Sequence, residues 1–351
     1  MMERFTSSHS RAFAAAKARR AGTPRRGVVA LMLLGFLLPT ELDAAEARYA
    51  ADRIYLVSTR GIGTRCEREA MAEGLRCEEY VRGSNGVDHW NMLTWNELSV
   101  QLAEPQPTVI YVHGNRVEDG DDKPHGLGFH RSLAARKPGE SPIRFIIWSW
   151  PSSQIRGAVK DYQVKAARTK PAGWQLAWAV DQMPAETPLG LVGYSYGARV
   201  VTGSLHLLAG GRLGEMQLAE RVHPARPPVR AALLAAAVDA SWIRPAGYHG
   251  RALEQVDQLL LVNNHRDPAM RFYHMAFEGK DRPLGYGGAF GLNMGEFAGR
   301  IRSIDVTGAV GRHHSLNEYL AASGKIGPVL KEVVKLPEPI VSNASLVGSK
   351  K

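Results

Sequence analysis

One short stretch, residues 189–201, constrains the fold of this chain more than any other. It reads Leu-Gly-Leu-Val-Gly-Tyr-Ser-Tyr-Gly-Ala-Arg-Val-Val, so Ser195 stands between Gly193 and Gly197. The apolar run before the serine predicts a short buried strand, and residues 198–209 have the apolar spacing of a helix. A serine flanked by glycines between a strand and a helix is typical of a nucleophile elbow. The turn is strained and crowded, which requires small residues two positions before and after the serine.

Further apolar segments alternate with helical or loop segments along the chain. A run such as residues 108–113 is apolar throughout, which is typical of a strand buried on both faces of a parallel sheet. We therefore predict an α/β fold with a mostly parallel, doubly wound sheet and helices on both faces. Between and after the first two predicted strands, we predict loops up to about residue 98. We predict a helix over residues 158–183 that breaks near Pro171. The other predicted strands are residues 53–58, 77–82, 143–150, 229–238, 256–263 and 301–306.

The two ends of the chain differ in composition from its centre. Residues 1–47 are basic, then apolar, then small, an order that predicts an export signal cleaved near Ala47 and a periplasmic or extracellular location. The alternative is an uncleaved membrane anchor formed by residues 27–38, although this run is shorter than the about 20 residues of a membrane span. Residues 48–335 then form a single domain, and residues 336–351 are predicted to be poorly ordered.

The net charge of +10 does not indicate a nucleic-acid-binding protein, because the basic residues are scattered along the chain. Cys66 and Cys77 are the two cysteines, and in an exported protein they predict a disulfide across a small loop. The acidic residues between Glu118 and Asp122 lack the ligand spacing of a calcium or zinc site. We predict a solvated loop there and no metal site.

A nucleophilic serine needs a base and an acid, and parallel sheets gather such groups at the carboxyl ends of their strands. His313 and His314 follow the last predicted strand. Asp267 follows the strand before it, and Asp239 ends the strand before that. We predict Asp267 as the acid, with Asp239 as the alternative, since the order Ser195, then aspartate, then histidine is that of α/β-hydrolases.

An oxyanion hole needs two backbone donors. One is the N–H of Tyr196, directly after the serine. The second candidate is Asn115 in the sequence His-Gly-Asn at 113–115, where Gly114 is expected to let the backbone turn sharply toward the site. A plain turn would also suit these residues.

These motifs together resemble a little-characterised family of bacterial α/β-hydrolases related to esterases and lipases, over roughly residues 53–325. The resemblance implies the α/β-hydrolase fold and a serine-hydrolase apparatus. It places the base directly before Ser315, which favours His314 over His313. The motifs are Tyr-Val-His-Gly-Asn at 111–115, Trp-Ser-Trp-Pro-Ser at 148–152, Gly-Tyr-Ser-Tyr-Gly at 193–197, Asn-x-x-x-Asp-Pro ending at Pro268, and His-Ser-Leu at 314–316.

The sequence therefore predicts an exported serine hydrolase that cleaves an ester-like bond in a small molecule or lipid through an acyl-enzyme. Ser195, His314 and Asp267 would form its catalytic triad, without a cofactor or metal. The alternative is a catalytically silent α/β-hydrolase fold that serves as a binding or envelope-associated protein. An uncleaved N-terminal segment would associate it with a membrane.

Overall fold

The segments predicted as strands pair into one sheet in a computed structural model of the chain. The described residues all belong to one compact unit, Thr40–Lys351. The predicted export signal, residues 1–47, and residues 337–351 of the predicted tail lie outside them. The structure describes residues 51–137, 141–223, 226–271, 273 and 281–336.

The main sheet has nine strands in the spatial order β11-β10-β9-β6-β4-β5-β1-β2-β3. From β11 to β1 all neighbours are parallel, whereas β2 and β3 add antiparallel at one edge. This order confirms the predicted α/β-hydrolase fold. The strands are β1 (Arg53–Ser58), β2 (Arg76–Val81), β3 (His89–Leu93), β4 (Thr108–Val112), β5 (Arg144–Ser149), β6 (Leu189–Tyr194), a separate hairpin of β7 (Arg212–Leu213) and β8 (Met216–Gln217), then β9 (Val229–Leu234), β10 (Val256–Asn263) and β11 (Ile301–Asp305).

Helices cover both faces of the sheet, because its central strands are apolar on both sides. In β4, Ile110 and Val112 pack against one apolar cluster, and Val109 and Tyr111 pack against the other. Helices α1, α2 and α4 to α7 contribute to the first cluster, and α3 and α8 to α10 to the second. The helices are α1 (Arg68–Gly74), α2 (Trp95–Leu102), α3 (Asp122–Ala134), α4 (Ala158–Asp181), α5 (Tyr196–Leu208), α6 (Pro268–Arg271), α7 (Leu284–Gly287), α8 (Thr307–Val310), α9 (Leu316–Ala321) and α10 (Ser323–Val334). Within the described ranges, none of them is long and apolar enough to cross a membrane.

The region up to residue 98 holds more regular structure than predicted. It contains the edge strand β3 and the start of α2, which begins with a capping box in which Thr94 and Glu97 bond each other's backbone N–H. The Thr-x-x-Glu spacing was the available signal for this helix. Helix α4 also differs from the prediction, because it continues through Pro171 to Asp181.

The predicted disulfide is not formed, since Cys66 and Cys77 are free thiols. Cys77 lies in β2 with its side chain in the sheet's apolar cluster, whereas the Cys66 sulfur lies 3.6 Å from the Met216 sulfur. Burial raises the pKa of both thiols to about 12, which keeps them protonated and unreactive at neutral pH.

Candidate active site

Ser195 occupies a strained turn between β6 and α5, with φ 54° and ψ −116°. The two flanking glycines are required by close backbone approaches. A Cβ on Gly193 would lie 2.6 Å from the Ala198 nitrogen, and one on Gly197 would lie 2.1 Å from the Val112 oxygen. Any larger residue at either position would displace α5 from the sheet, as the elbow pattern predicts.

The end of β9 holds this strained turn in place. The Ser195 N–H donates to the Leu234 carbonyl at 2.9 Å, and the Ser195 carbonyl accepts from Ala237 N–H at 3.1 Å. A non-glycine residue in such a conformation persists only where its surroundings enforce it. Here those surroundings are the neighbouring strand and the loop that continues it.

The structure brings Ser195, His314 and Asp267 into one hydrogen-bonded chain. The Ser195 Oγ lies 3.0 Å from His314 Nε2, and His314 Nδ1 lies 2.7 Å from Asp267 Oδ2. Asp267 is completely buried, whereas 27% of the His314 side chain is exposed. With the Nδ1 proton on the carboxylate side, Nε2 is free to accept the serine proton.

Asp267 is held by three further donors besides the histidine. Its Oδ1 caps α6 by accepting from the N–H groups of Ala269 at 2.9 Å and Met270 at 3.2 Å. Its Oδ2 accepts from the Tyr319 hydroxyl at 2.9 Å. Burial and the charge of Asp267 raise the pKa of Tyr319, so its hydroxyl remains a donor. Tyr319 was not predicted from the sequence, because no motif joins it to the triad.

Two other residues position the histidine loop. The Tyr194 hydroxyl donates to the His314 carbonyl, and the two rings stack with centroids 5.5 Å apart. Asn264 Nδ2 donates to the carbonyls of Gly311 at 2.9 Å and His313 at 3.4 Å. The His313 residue is exposed, so the alternative of His313 facing Ser195 does not agree with the structure.

The alternative acid, Asp239, is also buried, but it has other partners. It accepts hydrogen bonds from the N–H groups of Ser241 at 2.8 Å and Asp281 at 2.9 Å. These bonds tie together two loops beyond β9. The structure therefore brings Asp267, and not Asp239, to the histidine.

The predicted oxyanion loop approaches the serine closely. A Cβ on Gly114 would lie 3.2 Å from the Ser195 Cβ and 3.0 Å from the Tyr194 ring, so a larger residue there would press on the serine and the tyrosine. The expected sharp backbone turn falls two residues later, at Arg116, whose φ is 57°. The oxyanion roles of the Asn115 and Tyr196 N–H groups stay predictions.

A buried carboxylate, Asp161 in α4, anchors this loop. Its Oδ2 accepts from Asn115 Nδ2 at 3.2 Å and Arg116 Nε at 3.0 Å, and its Oδ1 accepts from Lys165 Nζ and the Ile155 N–H at 3.0 Å each. Burial raises the pKa of Asp161, but the hydrogen bonds outweigh it and lower the pKa to about 2. Asp161 was not predicted from the sequence either.

A cavity of about 370 Å³ opens beside Ser195 and His314, and we call it the catalytic cavity. Its volume lies within the usual range for small-molecule sites. Aromatic and aliphatic side chains form most of its wall, and Arg116 adds a cation. The other lining residues are Asn115, Tyr162, Tyr194, Tyr196, Ala237, Pro268, Ala269, Met270 and Tyr273.

The acidic residues between Glu118 and Asp122, which lie before and at the start of α3, are less solvated than predicted. Asp122 is completely buried, where it accepts from the Ser149 hydroxyl at 2.5 Å and lies 3.4 Å from Arg60. Asp119 is exposed and pairs with Arg76. In the part of the chain that the structure describes, no group of three or more His, Cys, Asp or Glu side chains is placed to hold a metal ion.

Comparison with protein-family models found no match, and neither did comparison with curated proteins. Among solved structures, the chain is similar to acyl-protein thioesterase 2 of Zea mays at 13% identity and a TM-score of 0.34, covering 65% of this chain and 94% of that one. It is similar to tributyrin-phosphonate-inhibited esterase B of Lactobacillus rhamnosis at 11% identity and a TM-score of 0.33, covering 83% and 91%. Because these values are low, the assignment to the α/β-hydrolase fold rests on the sheet order, and no activity is inferred from these proteins.

Proposed function

We propose that this chain is a serine hydrolase that cleaves an ester-like bond through an acyl-enzyme. The observation that carries the proposal is the chain of hydrogen bonds from Ser195 through His314 to Asp267, at the carboxyl ends of β6, β11 and β10. Its three members have the geometry of nucleophile, base and orienting acid. The catalytic cavity gives a substrate access to the serine.

In the proposed mechanism, the Ser195 oxygen attacks the substrate carbonyl while His314 Nε2 takes the hydroxyl proton. Asp267 remains ionised and stabilises the imidazolium that forms. The backbone N–H groups of Tyr196 and Asn115 would bind the oxyanion. The Nε2 proton then passes to the leaving alcohol. Water adds to the acyl-enzyme by the same steps in reverse and releases the acid.

A serine-reactive fluorophosphonate probe tests the nucleophile. We expect it to label the wild-type protein and not Ser195→Ala, and we expect that variant to lose hydrolysis of 4-nitrophenyl butyrate by about 10⁴-fold or more. Ser315→Ala is the matched control, because Ser315 is exposed directly beside His314. Equal labelling of the Ser195→Ala variant would refute the proposal.

We also propose that the chain is exported, with a small-molecule or lipid ester as substrate. The support for export is the order of residues 1–47, which are first basic, then apolar and then small. Mass spectrometry of the protein recovered from periplasm and medium tests this, with a mature N terminus near residue 48 as the expected result. Full-length protein in the membrane fraction would indicate the anchor formed by residues 27–38 instead.

A further inference from the structure

Arg116 is the cationic residue of the catalytic cavity, and the triad does not use it. Its guanidinium carbon lies 4.9 Å from the centre of the Tyr162 ring, which lines the same cavity. The Arg116 Nε donates to Asp161 at 3.0 Å. Among the described residues, none accepts a hydrogen bond from its two Nη groups, which carry four of the five donors of a guanidinium.

The charges around Arg116 do not sum to zero. Arg116 and Lys165 both pair with the same carboxylate, Asp161, so the three groups together carry a net charge of +1. Lys165 and Asp161 are completely buried, whereas the Arg116 side chain is 37% exposed. The excess positive charge is therefore presented by the one member of the cluster that reaches solvent and the cavity.

The backbone of Arg116 is also unusual. Its φ of 57° is in the left-handed region, which is uncommon for a residue other than glycine. Ser195, the proposed nucleophile, also has a positive φ, of 54°, and lines the same cavity. Strained non-glycine residues cluster at functional sites, where the surrounding structure fixes a side chain in one direction.

We propose that Arg116 binds a carboxylate on the substrate, so that the preferred esters carry an anionic group on the acyl or the alcohol part. This inference rests on the proposed hydrolase function and names its substrate class. A guanidinium binds carboxylates through two parallel N–H donors, and the free Nη groups offer that fork. Asp161 and the Tyr162 ring hold the guanidinium in advance, which reduces the ordering that binding requires.

Two matched pairs of esters test the proposal. Mono-4-nitrophenyl adipate and 4-nitrophenyl hexanoate differ in the acyl part by a terminal carboxylate in place of a methyl group. The butyrates of 4-(carboxymethyl)phenol and 4-ethylphenol differ in the same way in the alcohol part. We expect the wild type to prefer the anionic member of at least one pair, and Arg116→Gln to lower that ratio of kcat/KM by about tenfold or more, as for a lost hydrogen bond to a charged group.

Two variants serve as controls. Arg116→Lys keeps the charge without the fork, so it should retain part of the preference. Arg230→Gln removes a half-buried, ion-paired arginine at the opposite end of β9 and should leave the ratio unchanged. An unchanged ratio in Arg116→Gln for both pairs would overturn the inference.

Binding separates this inference from the proposed function. Calorimetry with Ser195→Ala measures affinity for mono-4-nitrophenyl adipate without turnover. We expect adding Arg116→Gln to weaken that binding by about tenfold. Arg116-dependent binding without any wild-type hydrolysis would refute only the hydrolase function. Hydrolysis without an Arg116-dependent ratio for either pair would refute only the anionic substrate.

Discussion

Asp267 and Asp161 are both completely buried near the catalytic cavity, but the charges around them differ. Asp267 accepts from His314, whose ring can gain and lose a proton, and from neutral donors. Asp161 accepts from Arg116 and Lys165, which are both cations at neutral pH. One carboxylate therefore faces a group whose charge changes during a reaction, and the other faces charge that stays fixed.

In the proposed mechanism, this difference lets one site combine proton transfer with a stable geometry. A carboxylate beside a single imidazole stabilises the positive charge only when the ring is protonated, which is the state formed in the proposed mechanism. A carboxylate beside two cations is ionised throughout and fixes the loop and helix that it joins. We expect substitutions at Asp267 to affect turnover and substitutions at Asp161 to affect stability.

The largest effect is expected for Asp267→Asn. An amide cannot hold the catalytic tautomer of His314 or stabilise its cation, and kcat should fall by about 10⁴-fold. Steady-state hydrolysis of 4-nitrophenyl butyrate measures this, with circular dichroism to verify the fold. Asp239→Asn is the matched control, since Asp239 is equally buried and has other partners. A similar loss of kcat in both variants would contradict the assignment of the acid.

The next effect is on stability. Asp161→Asn leaves the buried Lys165 ammonium without an anion, and the free energy of unfolding should fall by about 3–5 kcal/mol. Urea unfolding monitored by fluorescence measures it. The double variant Asp161→Asn with Lys165→Met removes the unpaired charge and should recover much of the loss. If Asp161→Asn has the same free energy of unfolding as the wild type, Asp161 does not anchor the loop that holds Asn115 and Arg116.

Tyr319→Phe should have a smaller effect on turnover. The change removes one hydrogen bond to Asp267 and keeps the ring packing, so kcat should fall by about tenfold, as for a bond to a charged group. Tyr55→Phe is the control, because Tyr55 is equally buried and bonds Gln101 in another part of the sheet. Similar kcat values for the two variants would show that Tyr319 has no part in positioning Asp267.

The smallest expected effect is on the acid dependence of stability. The pKa of Asp161 lies at about 2, below its ordinary value of 3.8. Its ionised form is therefore favoured by folding, which stabilises the protein above about pH 4 and is lost as the pH falls toward 2. The difference in unfolding free energy between wild type and Asp161→Asn should shrink between about pH 5 and pH 3. A constant difference over that range would contradict the ion-pair account.

Much of the fold followed from local patterns in the sequence. Apolar runs located β1, β4 to β6, β9 and β10, because strands buried on both faces need apolar residues throughout. Strand β11 was also predicted, although it lies at the edge of the sheet and is partly exposed. The same method missed β3, which is an exposed edge strand. It predicted a break in α4 at Pro171, but the helix packs extensively against α5 and the sheet and continues.

The site was predictable where a residue type and its position along a strand carry the chemistry. Ser195, Asp267 and His314 were named because each follows a predicted strand, and parallel strands end at one edge of the sheet. Tyr319 and Asp161 could not be found in this way, and Asn264, although it directly follows β10, is an amide with no part of its own in the proposed chemistry. Their roles come from contacts between segments that lie 46 to 52 residues apart in the chain or between neighbouring loops.

The sequence by itself determined the elbow, since glycine at positions 193 and 197 lets α5 approach the sheet closely. It also determined the order along the chain of the residues that follow the parallel strands, Ser195, then Asp267, then His314. The family resemblance favoured His314 over His313, but tertiary structure decided that His314 reaches Ser195 and that the two cysteines remain free thiols. The physical reason is the direction in which each side chain points. Sequence spacing fixes where a side chain lies along its own segment, but the packing of distant segments fixes what it faces.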